Sequence, residues 1–400
     1  MRRTMIRSVG TIVALAVIGA ACTSDDADDA DDTDPPATAD DGDDAVTDDP
    51  TPDDTDDPTP DDTDDTDDTD DTDDTVVEVQ TEDSRLDAVL DAGTVRCGTR
   101  NELPGFAVVD SAGDHVGFDS DFCRVVAAGI LGDADAVEMV DLETADRFTA
   151  LQSGEVDVLI RNTTWTATRD GNEGATFLQT TFYDGQGMMV ASDSGFEALE
   201  DLDGVIICVA QGTTTEGNAA SEAARLGLDW EVRPLENPDL IQQAFVDGQC
   251  DGWSSDVSQL TGLRSAFPDG PEALTILPEV FSKEPLGPAV ADGDTEWAQA
   301  VNWTILATIQ AEEFGISSEN VDDFLDSDDP GIQQFLGLEV EGDAVLDPGL
   351  GLPSDFGLQI VSQVGNYAEI FEEHLTPLGL DRGVNSLWTD GGILYAPPYR

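Results

Sequence analysis

The sequence is almost without lysine: Lys283 is the only one in 400 residues. Lysine and arginine together number 16, against 87 aspartate and glutamate residues, which gives a formal net charge of −71. A protein that binds nucleic acid presents a basic surface to the phosphates. The charge balance therefore excludes that class of protein.

Histidine is nearly as scarce, with only His115 and His374, and cysteine occurs five times. No CxxC pair and no cysteine–histidine cluster is present, so the sequence predicts no metal site. A GxxxxGK loop and the Ser/His/Asp order of hydrolases are also missing. The sequence thus contains no recognisable catalytic motif.

No hydrophobic run is long enough to cross a bilayer as a helix, which needs about 20 residues. The apolar run near the start covers only residues 9–21 and follows three arginines. This pattern predicts a secretory signal peptide over residues 1–21. Its small residues end at Cys22, as in a bacterial lipobox, so we expect Cys22 to be lipidated after cleavage. Simple secretion with an unpaired cysteine is the alternative.

Residues 22–75 are nearly all Asp, Thr, Ala and Pro, and residues 23–75 contain 27 aspartates without a lysine or arginine. Such a segment cannot bury enough apolar surface to fold, and its like charges repel one another. It is predicted to be a disordered tether. A calcium-binding repeat is disfavoured because the Asp-Asp-Thr triplets lack the glycine turns of calcium loops.

From residue 86 onward, short apolar runs alternate with helical patterns, and Asp119 is predicted to cap the first long helix. The predicted strands fall into two sets, 94–98, 136–140 and 156–160, then 205–210, 230–234 and 250–253. Repeated strand–helix units predict largely parallel sheets covered by helices. Because one hydrophobic core rarely serves more than about 300 residues, we expect two α/β lobes, followed by a mostly helical region from residue 295.

Four cysteines lie in this part of the chain: Cys97, Cys123, Cys208 and Cys250. An even number in an oxidising compartment predicts two disulfides, which can be paired in three ways. We favour Cys97–Cys123 and Cys208–Cys250, because each pair then lies within one lobe and leaves the lobes free to move.

Three segments that follow predicted strands are unusually polar: residues 161–169, 211–216 and 254–256. Ligands of open parallel sheets bind beyond the carboxyl ends of the strands. Arg169 and the free N–H groups at a helix start suit a carboxylate, and Asp256 suits an ammonium group, so these segments predict a zwitterion site. The alternative is structural, since arginine in such turns is often a surface charge and Thr and Asp are often helix caps.

Seven stretches resemble the general L-amino-acid-binding proteins of bacterial ABC importers, within the polar-amino-acid solute-binding family. They are LPGF (103–106), GFDSDFCRVVAAGILGD (117–133), RFTALQSGEVDVLIRNTTWTATRD (147–170), FYDGQGMMV (182–190), CVAQGTTTE (208–216), SKEPLGPAV (282–290) and RGVNSLWTDGGILYAPPYR (382–400). The resemblance covers nearly all of residues 86–400, whereas the tether and the lipobox lie outside it.

The resemblance implies an α/β protein with the two-lobed type II periplasmic-binding-protein fold and a hinge between the lobes. Lobe 1 would comprise residues 76–186 and 285–400, and lobe 2 residues 187–284. Arg169 would hold the α-carboxylate of a ligand and Asp256 its α-ammonium group. The other implied contacts are Thr164 and Thr214 beside the carboxylate, Asn162 on the first lobe, Phe106 against the ligand side chain, and Thr213 and Thr215 in the second-lobe turn.

The function implied is that of an extracytoplasmic lipoprotein, lipid-anchored to the bacterial cell membrane. It would capture L-amino acids by lobe closure and deliver them to an ABC permease, acting as a monomer without a cofactor. One alternative is a dehydratase of the prephenate or arogenate type on the same fold, although both histidines lie outside the polar segments. A ligand-sensing receptor module is the other, but the sequence shows no transmembrane or cytoplasmic segment for signalling.

Overall fold

A computed structural model describes residues 84–339 and 347–399 of the chain. The chain divides into two units, Met1–Val76 and Val77–Arg400, and the first lies wholly outside the described residues. The predicted signal peptide, the lipidated Cys22 and the tether therefore also lie outside them.

The described residues form fifteen short strands. They are β1 (Val95–Thr99), β2 (Glu102–Leu103), β3 (Ala107–Val109), β4 (His115–Val116), β5 (Val137–Asp141), β6 (Val158–Leu159), β7 (Ala175–Phe177), β8 (Phe182–Asp184), β9 (Gln186–Ala191), β10 (Ile206–Ala210), β11 (Glu231–Leu235), β12 (Gly252–Asp256), β13 (Leu274–Ile276), β14 (Glu284–Leu286) and β15 (Ala289–Ala291). Strands β2, β3 and β4 form a small antiparallel sheet of their own.

The same part of the chain forms eleven α-helices. They are α1 (Arg85–Ala92), α2 (Phe118–Leu131), α3 (Arg147–Ser153), α4 (Ala167–Asn172), α5 (Thr214–Leu226), α6 (Pro238–Val246), α7 (Val257–Ser265), α8 (Thr295–Phe314), α9 (Pro330–Phe335), α10 (Phe356–Gln363) and α11 (Tyr367–His374). None of these helices combines the length and the hydrophobicity that crossing a membrane requires.

The first of two large sheets has the strand order β5-β1-β6-β15-β7. Strand β1 runs parallel to β5 and β6, whereas β15 runs antiparallel to β6 and β7. Most of β1 is buried, as expected of an interior strand in a parallel sheet that is covered on both faces. Helix α2 packs on β1 and β5 and also contacts α8 and α10, so the C-terminal helices complete the core of this lobe.

The second large sheet has the order β11-β10-β12-β9-β13. Strand β10 is parallel to β11 and β12, and β9 is antiparallel to β12 and β13. Helices α5 and α6 pack against β10, β11 and β12. Two α/β sheets with their own helices confirm the predicted two-lobed fold class.

The chain passes between the two large sheets twice, and the two passages lie side by side. Strand β8 connects β7 of the first sheet to β9 of the second, and β14 lies on the return from β13 to β15. Strands β8 and β14 pair antiparallel, with Asp184 opposite Glu284. This two-stranded connection is the hinge of the fold.

Two local predictions are wrong. Asp119 does not cap its helix: α2 begins at Phe118 after Gly117, and the buried Asp119 carboxylate accepts a hydrogen bond from the backbone N–H of Asn162 at 2.7 Å. Residues 254–256 are not a turn. They belong to β12, because pairing with β9 extends the strand as far as Asp256.

Both predicted disulfides are present. Cys97 on β1 is bonded to Cys123 on α2, with 5.9 Å between their Cα atoms, and Cys208 on β10 is bonded to Cys250 just before β12, with 5.8 Å. All four cysteines are buried. Each bridge stays within one large sheet and its helices, which confirms the favoured pairing.

Replacing Cys208 and Cys250 together by serine should lower the free energy of unfolding by about 2–5 kcal/mol, because the bridge restricts the unfolded chain. Urea unfolding followed by circular dichroism measures the change. The free energy of unfolding of the wild-type protein should also fall when a reducing agent breaks the bridge. An unchanged midpoint for the double variant would contradict a stabilising role for this bridge.

Candidate functional site

A polar cavity lies between the two large sheets, at the ends of their strands. On the first-sheet side it is formed by the segments after β1 and β6 and by α3 and α4. On the other side it is formed by the segment after β10, the start of α6, the end of β12 and α7. Its lining residues are Arg100, Thr144, Arg147, Arg161, Asn162, Thr164, Arg169, Ala210, Thr213, Thr214, Thr215, Pro238, Ser255, Asp256 and Gln259.

The structure brings seven of the eight predicted contact residues to this cavity. They are Asn162, Thr164 and Arg169 from the first-sheet side, and Thr213, Thr214, Thr215 and Asp256 from the second. The hydroxyl oxygens of Thr164 and Thr214 are 3.5 Å apart, so the two sides approach each other directly.

Phe106 is the eighth predicted contact, and the structure places it elsewhere. Its side chain is fully buried in the first lobe, with ring centroids 5.8 Å from Phe118 and 5.5 Å from Phe182. These edge-to-face contacts make it part of an aromatic core cluster. The expectation that Phe106 contacts a ligand is therefore corrected: it does not line the cavity.

Arg169 is held in place by its own turn. Thr166 caps α4 by accepting a hydrogen bond from the Arg169 backbone N–H at 3.2 Å, and the guanidinium donates to the Thr164 carbonyl at 2.9 Å. The side chain is buried, and burial lowers the pKa of Arg169. No salt bridge to Arg169 occurs among residues 84–339 and 347–399, so none of their carboxylates occupies the place that an anionic ligand would take.

Asp256 faces the cavity from the end of β12. Its side chain is buried and makes neither a salt bridge nor a side-chain hydrogen bond with the described residues. Burial, together with the neighbouring carboxylates Asp184 and Glu284 of the hinge, raises the pKa of Asp256 well above its ordinary value. A cation placed beside it would relieve both effects, because an opposite charge stabilises the ionised carboxylate.

Glu284 connects the hinge to the second-lobe side of the cavity. Its carboxylate accepts hydrogen bonds from the Thr214 hydroxyl at 2.9 Å and from the Asn218 side chain at 2.7 Å. Thr214 starts α5, so this contact fixes the start of that helix against β14. The position of the threonine turn is thereby coupled to the hinge.

Asn162 adopts a left-handed backbone conformation, with φ of 41°, which is uncommon for a residue other than glycine. Its side chain accepts a hydrogen bond from Arg100 at 3.0 Å and donates one to Gln259 at 3.2 Å. Gln259 belongs to α7, so Asn162 links the two sides of the cavity. Its backbone N–H is held by Asp119, whose pKa burial raises to about 7.

Sequence reasoning missed three cavity arginines, Arg100, Arg147 and Arg161, all of which are buried. Arg100 forms a salt bridge with Glu102 at 2.7 Å. Arg161 donates to the Thr144 hydroxyl at 3.3 Å, and the Arg147 guanidinium carbon lies 5.1 Å from the centroid of the Phe148 ring. The Nε atoms of all three have no hydrogen-bond partner among the described residues.

A signal for these arginines was present in the sequence. The chain has only 16 basic residues, yet Arg100 directly follows a strand and Arg161 opens one of the polar segments. Basic residues at the strand ends of such an acidic chain are candidates for anion contacts. Arg147 gave no such signal, because the start of α3 approaches the cavity only in the folded structure.

This geometry defines a class of protein. Two α/β lobes joined by a hinge, with unpaired charges meeting in a cavity between them, are the architecture of periplasmic solute-binding proteins. Residues 95–318 match the family described as bacterial extracellular solute-binding proteins, family 3. The chain belongs to this family.

Individual relatives are similar in sequence to this protein over most of its length. The general L-amino acid-binding periplasmic protein AapJ of Rhizobium johnstonii is 45% identical over 318 residues, covering 79% of this chain and 92% of the relative. The glutamate/glutamine/aspartate/asparagine-binding protein BztA of Rhodobacter capsulatus is 42% identical, covering 79% and 94%. Because these relatives are binding proteins rather than enzymes, the comparisons support a binding protein over a dehydratase.

A solved structure matches as well. It is an ABC transporter periplasmic binding protein from Brucella ovis with glutathione bound, with a TM-score of 0.77 and 42% sequence identity. The match covers 80% of this chain and 100% of that one. The fold of the described residues is thus that of an extracytoplasmic solute-binding protein.

Asp119→Asn should flatten the dependence of stability on pH. The pKa of the buried Asp119 is about 7, against an ordinary value of 3.8. Between these values the folded chain keeps a proton that the unfolded chain has released, so the free energy of unfolding falls as pH rises. Asparagine keeps an oxygen that can accept the Asn162 N–H but does not ionise.

Denaturant unfolding at pH 5 and pH 8 measures this effect. Asp119→Asn should lose less stability than the wild type over that interval, by about 1 kcal/mol or more. Asp193→Asn, at an exposed position, is the matched control and should lose as much as the wild type. Equal losses in all three proteins would contradict the assignment of a buried proton to Asp119.

Proposed function

We propose that this protein captures L-amino acids outside the cytoplasm and delivers them to an ABC permease. Arg169 binds the α-carboxylate, assisted by the backbone N–H groups near Thr164 and Thr214, and Asp256 binds the α-ammonium group. Asn162, Thr213 and Thr215 complete the contacts. The ligand bridges the lobes and stabilises their closed arrangement through its higher affinity for that state.

One observation carries this proposal. Arg169 and Asp256 are both buried, line the same cavity from opposite lobes and make no salt bridge with any described residue. A buried charge is stable only when it is paired. A ligand that carries one carboxylate and one ammonium group supplies a partner to each.

The relatives support the same class of ligand. The Rhizobium relative is named as a general L-amino acid-binding protein. The name of the Rhodobacter relative lists four amino acids: glutamate, glutamine, aspartate and asparagine. Glutathione, held by the Brucella protein, also carries an α-amino and an α-carboxylate group on its glutamyl end. An α-amino-acid head group is the feature that all these ligands share.

We further propose the lobe boundaries implied by the resemblance, 76–186 with 285–400 and 187–284. In support, β8 and β14 lie where the chain changes sheets, close to both boundaries. We propose in addition that Cys22 is lipidated, that residues 22–75 form an extended tether, and that the protein is a monomer. Labelling of the protein by fatty acid in cells, lost in Cys22→Ser, tests the anchor.

Arg169→Ala and Asp256→Ala should each weaken the affinity for L-amino acids by about 100-fold or more, because each removes the partner of one ligand charge and leaves that charge uncompensated in the cavity. Titration calorimetry of the purified chain measures the affinity. Arg225→Ala and Asp193→Ala, at exposed positions, are matched controls and should bind as the wild type does. Unaltered affinity in either cavity variant would contradict the assigned site.

A further inference from the structure

The cavity carries more positive charge than the proposed ligand needs. Four arginines line it, Arg100, Arg147, Arg161 and Arg169, with relative exposures of 4%, 4%, 2% and 8%. Asp256 is the only carboxylate among the described lining residues. In a chain with a net charge of −71, a buried positive cluster is unlike the rest of the molecule.

Few of these charges are matched inside the protein. Arg100 has Glu102 as its salt-bridge partner, but no described residue forms a salt bridge with Arg147 or Arg161. Arg147 makes no hydrogen bond through Nε, and Arg161 has only the neutral hydroxyl of Thr144. The carboxylates of Glu102, Asp119 and Glu143 raise the pKa of Arg161 without forming a salt bridge with it. Buried charges without a contacting partner are unfavourable, so an anion bound at these guanidiniums would stabilise them.

The four arginines also repel one another. Burial and the neighbouring Arg169, Arg161 and Arg100 lower the pKa of Arg147 well below its usual value. Burial and Arg100 lower the pKa of Arg161 to about 9. An L-amino acid with an uncharged side chain brings one positive and one negative charge. It therefore leaves the balance of charge among the lining residues, four arginines against Asp256, unchanged.

Resting on the function proposed above, we infer that the preferred ligand carries a second carboxylate in addition to its α-amino-acid head group, and that Arg147 and Arg161 bind it. Arg169 and Asp256 are engaged by the head group. Arg147 is the first residue of α3, and Arg161 follows the end of β6. Both lie on the first-lobe side of the cavity. A ligand held by its head group at Arg169 can extend its other end toward them.

Two sources supply this chemistry. One is a dicarboxylic amino acid, L-glutamate or L-aspartate. The other is a small peptide such as glutathione, which has an amino-acid head group and a distant carboxylate. Both place an anion beyond the head group, whereas L-glutamine and L-asparagine have the same shapes as the acidic amino acids without that charge.

The test is titration calorimetry of the full chain with L-glutamate, L-glutamine, L-aspartate, L-asparagine and glutathione. We expect at least tenfold tighter binding of an acidic ligand than of its amide, a comparison that needs no variant. Preferential binding of glutathione over L-glutamate would support the peptide as the source of the second carboxylate.

Variants then assign the preference to residues. Arg147→Gln and Arg161→Gln should each weaken L-glutamate binding at least tenfold more than L-glutamine binding, and Arg147→Lys, which keeps the charge, should retain part of the preference. The exposed Arg225→Gln is the matched control and should leave both affinities unchanged. Thermal unfolding of each variant shows whether it is folded.

The two proposals fail differently. If the wild type binds L-glutamine as tightly as L-glutamate, and both more tightly than glutathione, the inference of a second carboxylate is overturned and the proposed function stands. If no amino acid binds at all, the proposed function itself is overturned.

Discussion

The site that we propose depends on two residues of opposite charge, Arg169 and Asp256, that are buried on either side of one cavity and form no salt bridge in the described part of the chain. Removing charges from water is unfavourable, and a protein usually pairs them internally. Here the fold keeps them apart on separate lobes. A ligand that carries both opposite charges can satisfy them together, and in the function we propose it is this ligand that stabilises the closed arrangement.

The rest of the structure holds these charges in position. The cap of α4 and the Thr164 carbonyl fix Arg169. Pairing of β12 with β9 fixes Asp256 at the end of a strand, next to the hinge carboxylates Asp184 and Glu284. Each lobe has its own disulfide and its own sheet. The lobes also touch outside the hinge, where α7 packs on β2. Two lobes joined by a short two-stranded connection suit a binding protein that closes on its ligand.

Much of this architecture was predictable because it is local. Parallel strands followed by polar segments predicted that residues 161–169 and 211–216 meet at one site, and the resemblance implied Asn162, Thr164 and Thr214 within them. Pairing within lobes predicted both disulfides. Asp256 was predicted at the site, but in a turn. The antiparallel partner β9 extends its strand, and such pairing between distant segments is not visible in a local pattern.

The predictions that failed concern residues whose positions are set by tertiary contacts. Phe106 belongs to an aromatic cluster whose members are far apart in sequence, so a motif match alone could not show that it is buried. Asp119 has the right type and place for a helix cap, yet the chain brings the Asn162 N–H to it instead. Arg147 reaches the cavity only through the packing of α3 on the first sheet.

The most direct measurement is a thermal-shift comparison of an L-amino acid with analogues that lack one charge of its head group. Ligands that bind only the folded state raise the melting temperature by mass action. We expect a rise with L-glutamate that is lost with 2-oxoglutarate, which has no ammonium group, and with 4-aminobutanoate, which has no α-carboxylate. Equal shifts for all three, or none for any of the L-amino acids, would contradict recognition by Arg169 and Asp256 together.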